Sequence, residues 1–288
     1  MPVQNSSNDA IFVWHAFGTR IVTTNNNAFT VLKQPVPANN TAANNLYLDN
    51  RFIIDGLSIR GQSNQKGMEI MPTFGTFISH CNFWNMNEAL HARFCLGGGV
   101  YNCRVNNCFN GISADAGNWP GIPGNAGSYA PSNVFTIEKC RVWFANTGGY
   151  AFQVRGSGNV KLNDNIAEGY KCARAVDFDD LGATTIFHLD IDNFHNETTE
   201  GTTQAIFYIR NRASIITITS PFSQYASICV DAVSSTSSST LKLRNVQWLV
   251  PLNGKLFKSN EQKWIFENCD MIRTPAQAQS LFVTGPGL

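Results

Sequence analysis

A six-residue pattern recurs along most of this chain. The pattern consists of an apolar residue, two polar or variable residues, a small or apolar residue that is often cysteine, one polar residue, and a second apolar residue. Most copies begin 22 to 27 residues apart, so the chain repeats one structural unit. The clear copies are Ile54–Ile59, Ile78–Phe83, Val100–Val105, Ile137–Val142, Leu243–Trp248 and Phe266–Met271; Leu162–Ala167 and Leu189–Phe194 are weaker, and a copy near Ile216 is ambiguous in register.

A second stretch of alternating apolar and polar residues follows in each unit, as in Met68–Ile70, Phe152–Val154 and Val176–Phe178. Alternation with a period of two is typical of strands that bury one face. A unit of this size cannot bury that face alone and must stack on its neighbours. We therefore predict an all-β fold, a single-stranded parallel β-helix of about nine rungs whose equivalent residues lie about 4.8 Å apart.

The fourth position of the pattern faces the core in this prediction. Cys81, Cys103 and Cys140 occupy it, and Asn165 and Asp192 take the same place in the weaker copies. A small thiol stacks well, and stacked Asn side chains can satisfy polar groups at the bends. The 32 asparagines and only 14% charged residues, against roughly 25% in ordinary domains, also favour a turn-rich β structure.

The composition argues against several classes of partner. A net charge of +1 without a long basic run gives no support for nucleic-acid binding, and no apolar stretch is long enough to span a membrane. The N-terminal residues do not resemble a signal peptide. The eight cysteines contain no CxxC pair, so we expect reduced, buried thiols, no metal site and no cofactor.

The repeat resembles that of the pectate-lyase-like right-handed β-helix superfamily, which includes polysaccharide lyases, polygalacturonases and phage tailspikes. The resemblance covers roughly residues 50–288 and concerns the architecture. Of the polygalacturonase motifs, only the acidic pair Asp179 and Asp180 has a match. The resemblance implies a right-handed coil and, by analogy with tailspikes, a homotrimer.

Two segments depart from the regular repeat. Residues 1–49 precede the first clear copy, and we expect them to form an N-terminal cap or an arm that docks on a larger assembly. Residues 50–288 form the β-helix. Residues 117–133 are rich in Gly and Pro and lengthen one unit, which predicts a loop insertion that serves as filler, subunit contact or functional loop.

Acidic residues at Asp177, Asp179 and Asp180 are the candidate catalytic groups. If Val176 and Phe178 point inward, Asp177 and Asp179 face outward about 6.6 Å apart, which suits a pair of carboxylates for glycoside hydrolysis. The alternative is structural. A set of charges alternates in sign on successive rungs and would form a stabilising ladder: Arg93, Asp115, Arg155, Asp179, Arg210 and Asp231.

Aromatic residues are the candidate glycan-binding or interface groups. Trp84 and Trp143 both lie six residues after the start of their copies, so we expect them at one corner of the coil, two rungs apart; His195 has the same offset. Flat aromatic faces suit stacking on sugar rings, or filling a subunit interface. Trp119 and Tyr129 in the insertion are further candidates.

These features together predict a phage virion protein of the tailspike, fibre or capsid-decoration type. It would assemble in the host cytoplasm, be released by lysis, attach through residues 1–49 and bind host-surface glycan on a rigid β-helix. One alternative is a polysaccharide depolymerase, either hydrolase or lyase, and the sequence leaves open whether the protein is an enzyme. The other is a purely structural decoration protein that binds no ligand.

Overall fold

The structure is a computed structural model that consists almost entirely of short β-strands. It describes residues 11–22, 27–31, 51–70, 73–118, 129–130, 132–180, 188–198, 205–210, 214–223, 228–233, 240–249, 255–259, 263–272 and 282–284. None of these segments is a helix that could cross a membrane. Three long parallel sheets contain nearly all of the strands.

Sheet A comprises β1 (Ile11–His15), β4 (Arg51–Asp55), β7 (Thr73–Ser79), β10 (Cys95–Tyr101), β15 (Asn133–Glu138), β18 (Gly158–Asn163), β21 (His188–Asp192), β24 (Ile215–Thr219), β27 (Thr240–Arg244) and β30 (Lys263–Glu267). Sheet B comprises β2 (Arg20–Val22), β5 (Ser58–Arg60), β8 (Asn82–Trp84), β11 (Arg104–Asn106), β16 (Arg141–Phe144), β19 (Ile166–Gly169), β22 (His195–Thr198) and β25 (Phe222–Ser223). Sheet C comprises β3 (Asn27–Val31), β6 (Lys66–Ile70), β9 (Glu88–Arg93), β12 (Asn110–Asp115), β17 (Gly148–Arg155), β20 (Cys172–Asp179), β23 (Ala205–Arg210), β26 (Ile228–Val233), β29 (Lys255–Ser259) and β32 (Phe282–Thr284).

Each rung adds one strand to each sheet in turn, and every strand pairs in parallel with its equivalent in the next rung. The predicted all-β parallel β-helix is therefore confirmed. Sheets A and C each contain ten strands, so we number the rungs 1 to 10. Rung 1 comes from β1, β2 and β3, which lie within the segment predicted as a cap or arm; they pair with β4, β5 and β6 of rung 2.

The bend between sheets A and B accounts for four of the asparagines. One residue of each bend in rungs 2 to 10 has a positive φ, between 49° and 78°, which Asn and Gly adopt more readily than other residues. The side chains form ladders, with Asn193 Nδ2 donating to Asp164 Oδ1 at 2.7 Å and Asn268 Nδ2 to Asn245 Oδ1 at 2.9 Å. The residues are Gly56, His80, Asn102, Lys139, Asp164, Asn193, Ser220, Asn245 and Asn268.

The core is a set of vertical columns, one for each inward position. Cys81, Cys103 and Cys140 are stacked as predicted, because Arg104 N donates to the Cys81 carbonyl and Arg141 N to the Cys103 carbonyl, each at 2.9 Å. All three thiols are fully buried, and the seven described cysteines are free. The hydrogen bond with Cys103, then burial, raises the pKa of the Cys81 thiol.

The register of rung 7 differs from the prediction by two residues. Leu162 pairs with Ile191, and Ile191 with Ile218, so rung 7 begins at 191 and not at 189, and rung 8, whose register the sequence left ambiguous near Ile216, begins at 218. Phe194 therefore occupies the cysteine position and Asp192 is exposed. Phe194 makes edge contacts in the core with Phe152 and Phe207, at ring distances of 5.8 and 5.5 Å, and this packing sets the register.

Two small sheets lie outside the three long ones. β13 (Gly117–Asn118) and β14 (Tyr129–Ala130) pair antiparallel at the base of the predicted insertion, which leaves the coil between β12 and β15. β28 (Gln247–Leu249) and β31 (Asp270–Ile272) continue the chain path of sheet B in rungs 9 and 10 as a separate parallel pair.

Candidate functional site

The outer face of sheet B carries two columns of side chains. The first, which we call the tryptophan column, runs through Arg60, Trp84, Asn106, Trp143, Glu168 and Glu197. The second, the arginine column, runs through Arg20, Ser58, Asn82, Arg104, Arg141, Ile166, His195 and Phe222.

Trp84 and Trp143 occupy equivalent positions in rungs 3 and 5. Asn106 pairs with both, so the two indoles are separated by two rung spacings, or about 9.6 Å. The relative exposure of Trp84 is 44% and that of Trp143 is 40%, which is high for such large apolar side chains. The two tryptophans therefore lie in one column two rungs apart, on strands of sheet B. Their part in binding stays a prediction.

His195 does not join the tryptophan column. Because rung 7 begins two residues later than predicted, His195 pairs with Ile166 in the arginine column. Its ring stacks on Phe222 at 4.6 Å, and its Nε2 lies 3.0 Å from Glu197 Oε1. Histidine and phenylalanine thus form a separate aromatic pair on rungs 7 and 8.

The orientation of the Trp143 ring is restricted by a glycine. A Cβ atom built on Gly169, whose φ is +92°, would lie 2.8 Å from Trp143 Nε1, so the indole packs against bare backbone. This close approach holds the ring in place before any ligand arrives. An ordered aromatic face loses little conformational entropy on binding.

Two grooves flank the tryptophan column. One, of about 300 Å³, is lined by Arg20, Ser58, Ile59, Arg60 and Trp84. The other, of about 570 Å³, lies along the bend between sheets A and B and is lined by His80, Asn82, Asn102, Arg104, Lys139, Arg141 and Ile166. Aromatic, amide and guanidinium groups line these grooves, a set that can stack on sugar rings and bind their polar substituents.

Asp177 lies on the outer face of sheet C, as its position in the strand predicts, but it is not open to solvent. Its relative exposure is 2%. Gln153 Nε2 donates to Asp177 Oδ2 at 2.7 Å, Arg174 Nη1 to Oδ1 at 3.1 Å and Arg210 Nη2 to Oδ1 at 3.2 Å. Asp177 therefore points outward as predicted but is covered, because Arg174 of its own strand and Gln153 and Arg210 of the neighbouring rungs close over it.

The other two acidic candidates also have partners. Asp179 Oδ2 lies 3.4 Å from Arg210 Nε, and its side chain is 18% exposed. Asp180 is 1% exposed and accepts a hydrogen bond from Ser214 at 3.4 Å. The three carboxylates are close in sequence but do not form an open pair on either side of a cleft.

The predicted charge ladder is present for five of its six members. Arg93, Asp115, Arg155, Asp179 and Arg210 pair in consecutive rungs. Asp231 pairs with Tyr208 instead, in the neighbouring column that contains Asp177. The alternating column places a basic side chain beside an acidic one, as in the ion pair of Arg210 with Asp179.

A buried ionic cluster on the same face was missed by sequence reasoning. His91 bridges two carboxylates, with Nε2 2.9 Å from Asp115 Oδ2 and Nδ1 3.4 Å from Glu88 Oε2. Tyr150 donates to Glu88 Oε1 at 2.7 Å. The contact of His91 with Asp115 depends on how β9 and β12 stack, so the sequence alone offers no signal for the cluster.

The pKa values in this cluster favour charged side chains. Burial alone would raise the pKa of Glu88, but hydrogen bonds from His91 and Tyr150 and the charge of His91 lower it to about 2. Burial would lower the pKa of His91, but hydrogen bonds to Asp115 and Glu88 raise it above its usual value. An internally paired cluster of this kind stabilises the sheet and exposes little reactive surface.

Other candidates have no described side chain. Trp119 lies outside the described residues, and for Tyr129 only the strand position in β14 is defined. Across the residues that the structure describes, no three His, Cys, Asp or Glu side chains are grouped so that they could hold a metal ion.

Sequence comparison agrees with the observed architecture. The family model described as "Right handed beta helix region" matches residues 9–185, which is more than half of the chain. No curated protein matches the chain in sequence.

Proposed function

This chain belongs to the right-handed β-helix family, and from that premise we propose that it uses the outer face of sheet B to bind an extended glycan on a host-cell surface. The fold supports a carbohydrate-interacting or structural role in general. A stack of rungs held by parallel pairing is a rigid platform, so binding requires little ordering of the protein. The repeat also matches the form of a linear ligand, because equivalent side chains recur at fixed intervals.

The observation that carries this proposal is the pair of exposed indoles in one column. Trp84 and Trp143 lie on the same flat sheet, about 9.6 Å apart, and the small polar side chain of Asn106 lies between them. Two sugar rings of one chain could stack on the two indoles while intervening groups contact the amide. Exposed tryptophans are among the commonest energetic anchors of binding surfaces.

Binding to immobilised glycans tests the proposal. We expect Trp84→Ala and Trp143→Ala each to weaken binding by about tenfold, and the double variant to abolish it, because each removes one stacking face. The matched control is Phe77→Ala, since Phe77 is 42% exposed and lies on sheet A, whereas both tryptophans lie on sheet B. Unchanged binding in the double Trp variant would refute the proposal.

We further propose that this platform belongs to a phage virion, as a tailspike, fibre or capsid-decoration protein that works as a homotrimer. The support is the resemblance of the repeat to tailspikes, together with seven unpaired cysteine thiols, which suit assembly in a reducing host cytoplasm. Residues 1–49, including rung 1, are the part that we propose contacts the rest of the particle.

A depolymerase activity has less support than binding. Asp177 and Asp180 are almost fully buried, and Asp177 accepts hydrogen bonds on both oxygens. A carboxylate that attacks or protonates a glycosidic bond must reach the substrate directly or through one water. We therefore propose a binding role for sheet B and leave sheet C with a stabilising one.

A further inference from the structure

Three arginines on the outer face of sheet B have no partner within the described part of the chain. Arg20, Arg60 and Arg104 are exposed and take part in no ion pair, hydrogen bond or ring contact there. Unpaired surface arginines are ordinary when they are scattered. These three lie in adjacent columns of one sheet and line the two grooves beside Trp84.

The other arginines whose side chains are described behave differently. All six, Arg141 of sheet B among them, have a carboxylate within ion-pair distance: Arg93 with Glu69, Arg141 with Glu168, Arg155 with Asp115, Arg174 and Arg210 with Asp177, and Arg244 with Glu267. Pairing is therefore the rule for arginine in this fold. The exceptions are confined to the surface that carries the exposed tryptophans.

The geometry places two of the three around one indole. Arg60 pairs with Trp84 in register and lies one rung before it in the tryptophan column. Arg104 lies one rung after it in the arginine column, opposite Asn82, so its Cα is a diagonal neighbour of Trp84 at about 7–8 Å. A sugar ring stacked on Trp84 would have a guanidinium group on either side.

Charge changes sign along the tryptophan column. Arg60 precedes Trp84, whereas Glu168 and Glu197 follow Trp143. In the arginine column, Arg141 at the level of Trp143 is already bound to Glu168, with Nε 2.6 Å from Oε1. Arg104 is also a diagonal neighbour of Trp143, because it pairs with Arg141, so among the described side chains two unpaired guanidinium groups flank Trp84 and one flanks Trp143.

We infer that the ligand is an acidic glycan, and that Arg60 and Arg104 bind its carboxylate, sulfate or phosphate groups beside Trp84. This inference rests on the proposed glycan-binding function and adds the chemical class and the orientation of the ligand. Guanidinium groups bind such anions through two parallel, charge-assisted hydrogen bonds, which are stronger than their hydrogen bonds to the neutral hydroxyls of a sugar. The carboxylates at the Trp143 end disfavour an anionic group there.

Matched pairs of probes test the inference. The pairs are oligogalacturonate and its methyl ester, dextran sulfate and dextran, and dextran phosphate and dextran, so that carboxylate, sulfate and phosphate are compared separately. We expect the charged member of at least one pair to bind tenfold or more tightly than its neutral partner. Arg60→Gln and Arg104→Gln should each remove most of that preference.

The control variant is Lys161→Gln, which removes one exposed positive charge from the outer face of sheet A. It should leave all affinities within twofold of those of the wild type. If Lys161→Gln weakens binding as much as Arg60→Gln, the effect is one of net charge and the inference fails. Equal binding of charged and neutral members also overturns it.

The two proposals fail in different ways. Suppose that neutral glycans on an array bind the wild type, that Trp84→Ala abolishes this binding and that Arg60→Gln leaves it unchanged. The glycan-binding function then holds, and the inference of an acidic ligand is wrong. If neither the array nor the matched probes bind the wild type, the glycan-binding function itself is wrong and the inference falls with it.

Discussion

At the scale of the residue, one core position is occupied by side chains of different chemical type in successive rungs. Cys140 and Asn165 are vertical neighbours in the core, both fully buried. The Cys140 thiol donates to the Val100 carbonyl of the previous rung at 3.6 Å, and Asn165 Nδ2 donates to the equivalent Ile137 carbonyl at 2.8 Å. Asn165 Oδ1 also accepts from the Cys140 backbone N–H at 3.0 Å.

Replacing Asn165 tests this account. Asn165→Ala leaves a buried N–H and a buried carbonyl without partners, so we expect a loss of about 2–4 kcal/mol in the free energy of unfolding, measured by urea denaturation. Asn165→Cys keeps one donor in the slot and should fall between Ala and the wild type. Asn146→Ala on the surface is the control and should change stability by less than about 0.5 kcal/mol. Equal stabilities for Asn165→Ala and Asn146→Ala would contradict the prediction.

At the scale of the element, the three sheets use their outer faces differently. Sheet C pairs its charges internally: His91 lies between Glu88 and Asp115, and Asp177 lies beneath Arg174 and Arg210. Sheet B leaves tryptophan and arginine side chains exposed. Internal pairing lowers the electrostatic energy of sheet C, whereas the arginines of sheet B that have no partner among the described residues are available to a ligand.

The ionic cluster of sheet C predicts a pH dependence of stability. The pKa of His91 is higher in the folded chain than its usual value of 6.5, so protonated His91 stabilises the fold. That contribution is complete below pH 6.5 and is lost as the pH rises through the folded pKa. We expect the melting temperature of the wild type to fall across this alkaline window, and that of His91→Gln to change less.

Thermal unfolding at several pH values from 6 to 9 measures this difference. His188→Gln is the control, because His188 is exposed in sheet A and lies outside the cluster. Its pH profile should follow that of the wild type. If His91→Gln has the same profile as the wild type, the His91 cluster does not contribute the predicted linkage.

At the scale of the whole molecule, the β-helix is a column of rungs in which nearly every contact joins consecutive rungs. Such a molecule has a basic end and an acidic end on sheet B, so a bound glycan would have a preferred direction. If several copies of the chain assembled around one axis, the assembly would present several binding faces. Simultaneous binding at these faces would raise the overall affinity without any new contact at each face.

The proposed homotrimer is tested at this scale. Light scattering on the purified chain should give a mass three times the 31.7 kDa of one copy, unchanged on dilution to the micromolar range. Avidity then predicts that the trimer binds a multivalent glycan surface more tightly than a single short oligosaccharide. A mass of one chain at micromolar concentration would rule out a stable trimer.

The sequence by itself determined the architecture, because the signals for it are local and repeated. Alternation of apolar residues sets which side chains point inward, and the spacing of the copies sets which rungs stack; Trp84 and Trp143 were placed in one column on these grounds. The preference for asparagine at the bends is also a local signal, because it depends on the φ of a single residue.

Tertiary structure alone decided the register of rungs 7 and 8 and the state of each charged group. Phe194 takes its core position through aromatic contacts with Phe207 across its own rung and with Phe152 two rungs earlier, and the local six-residue pattern does not encode either contact. Asp177 is buried beneath Arg174 of its own strand and Gln153 and Arg210 of the neighbouring rungs, whereas Arg60 has no partner among the described residues. Burial and ion pairing depend on what lies across the 4.8 Å gap between rungs, and residues on either side of that gap are about two dozen positions apart in the chain.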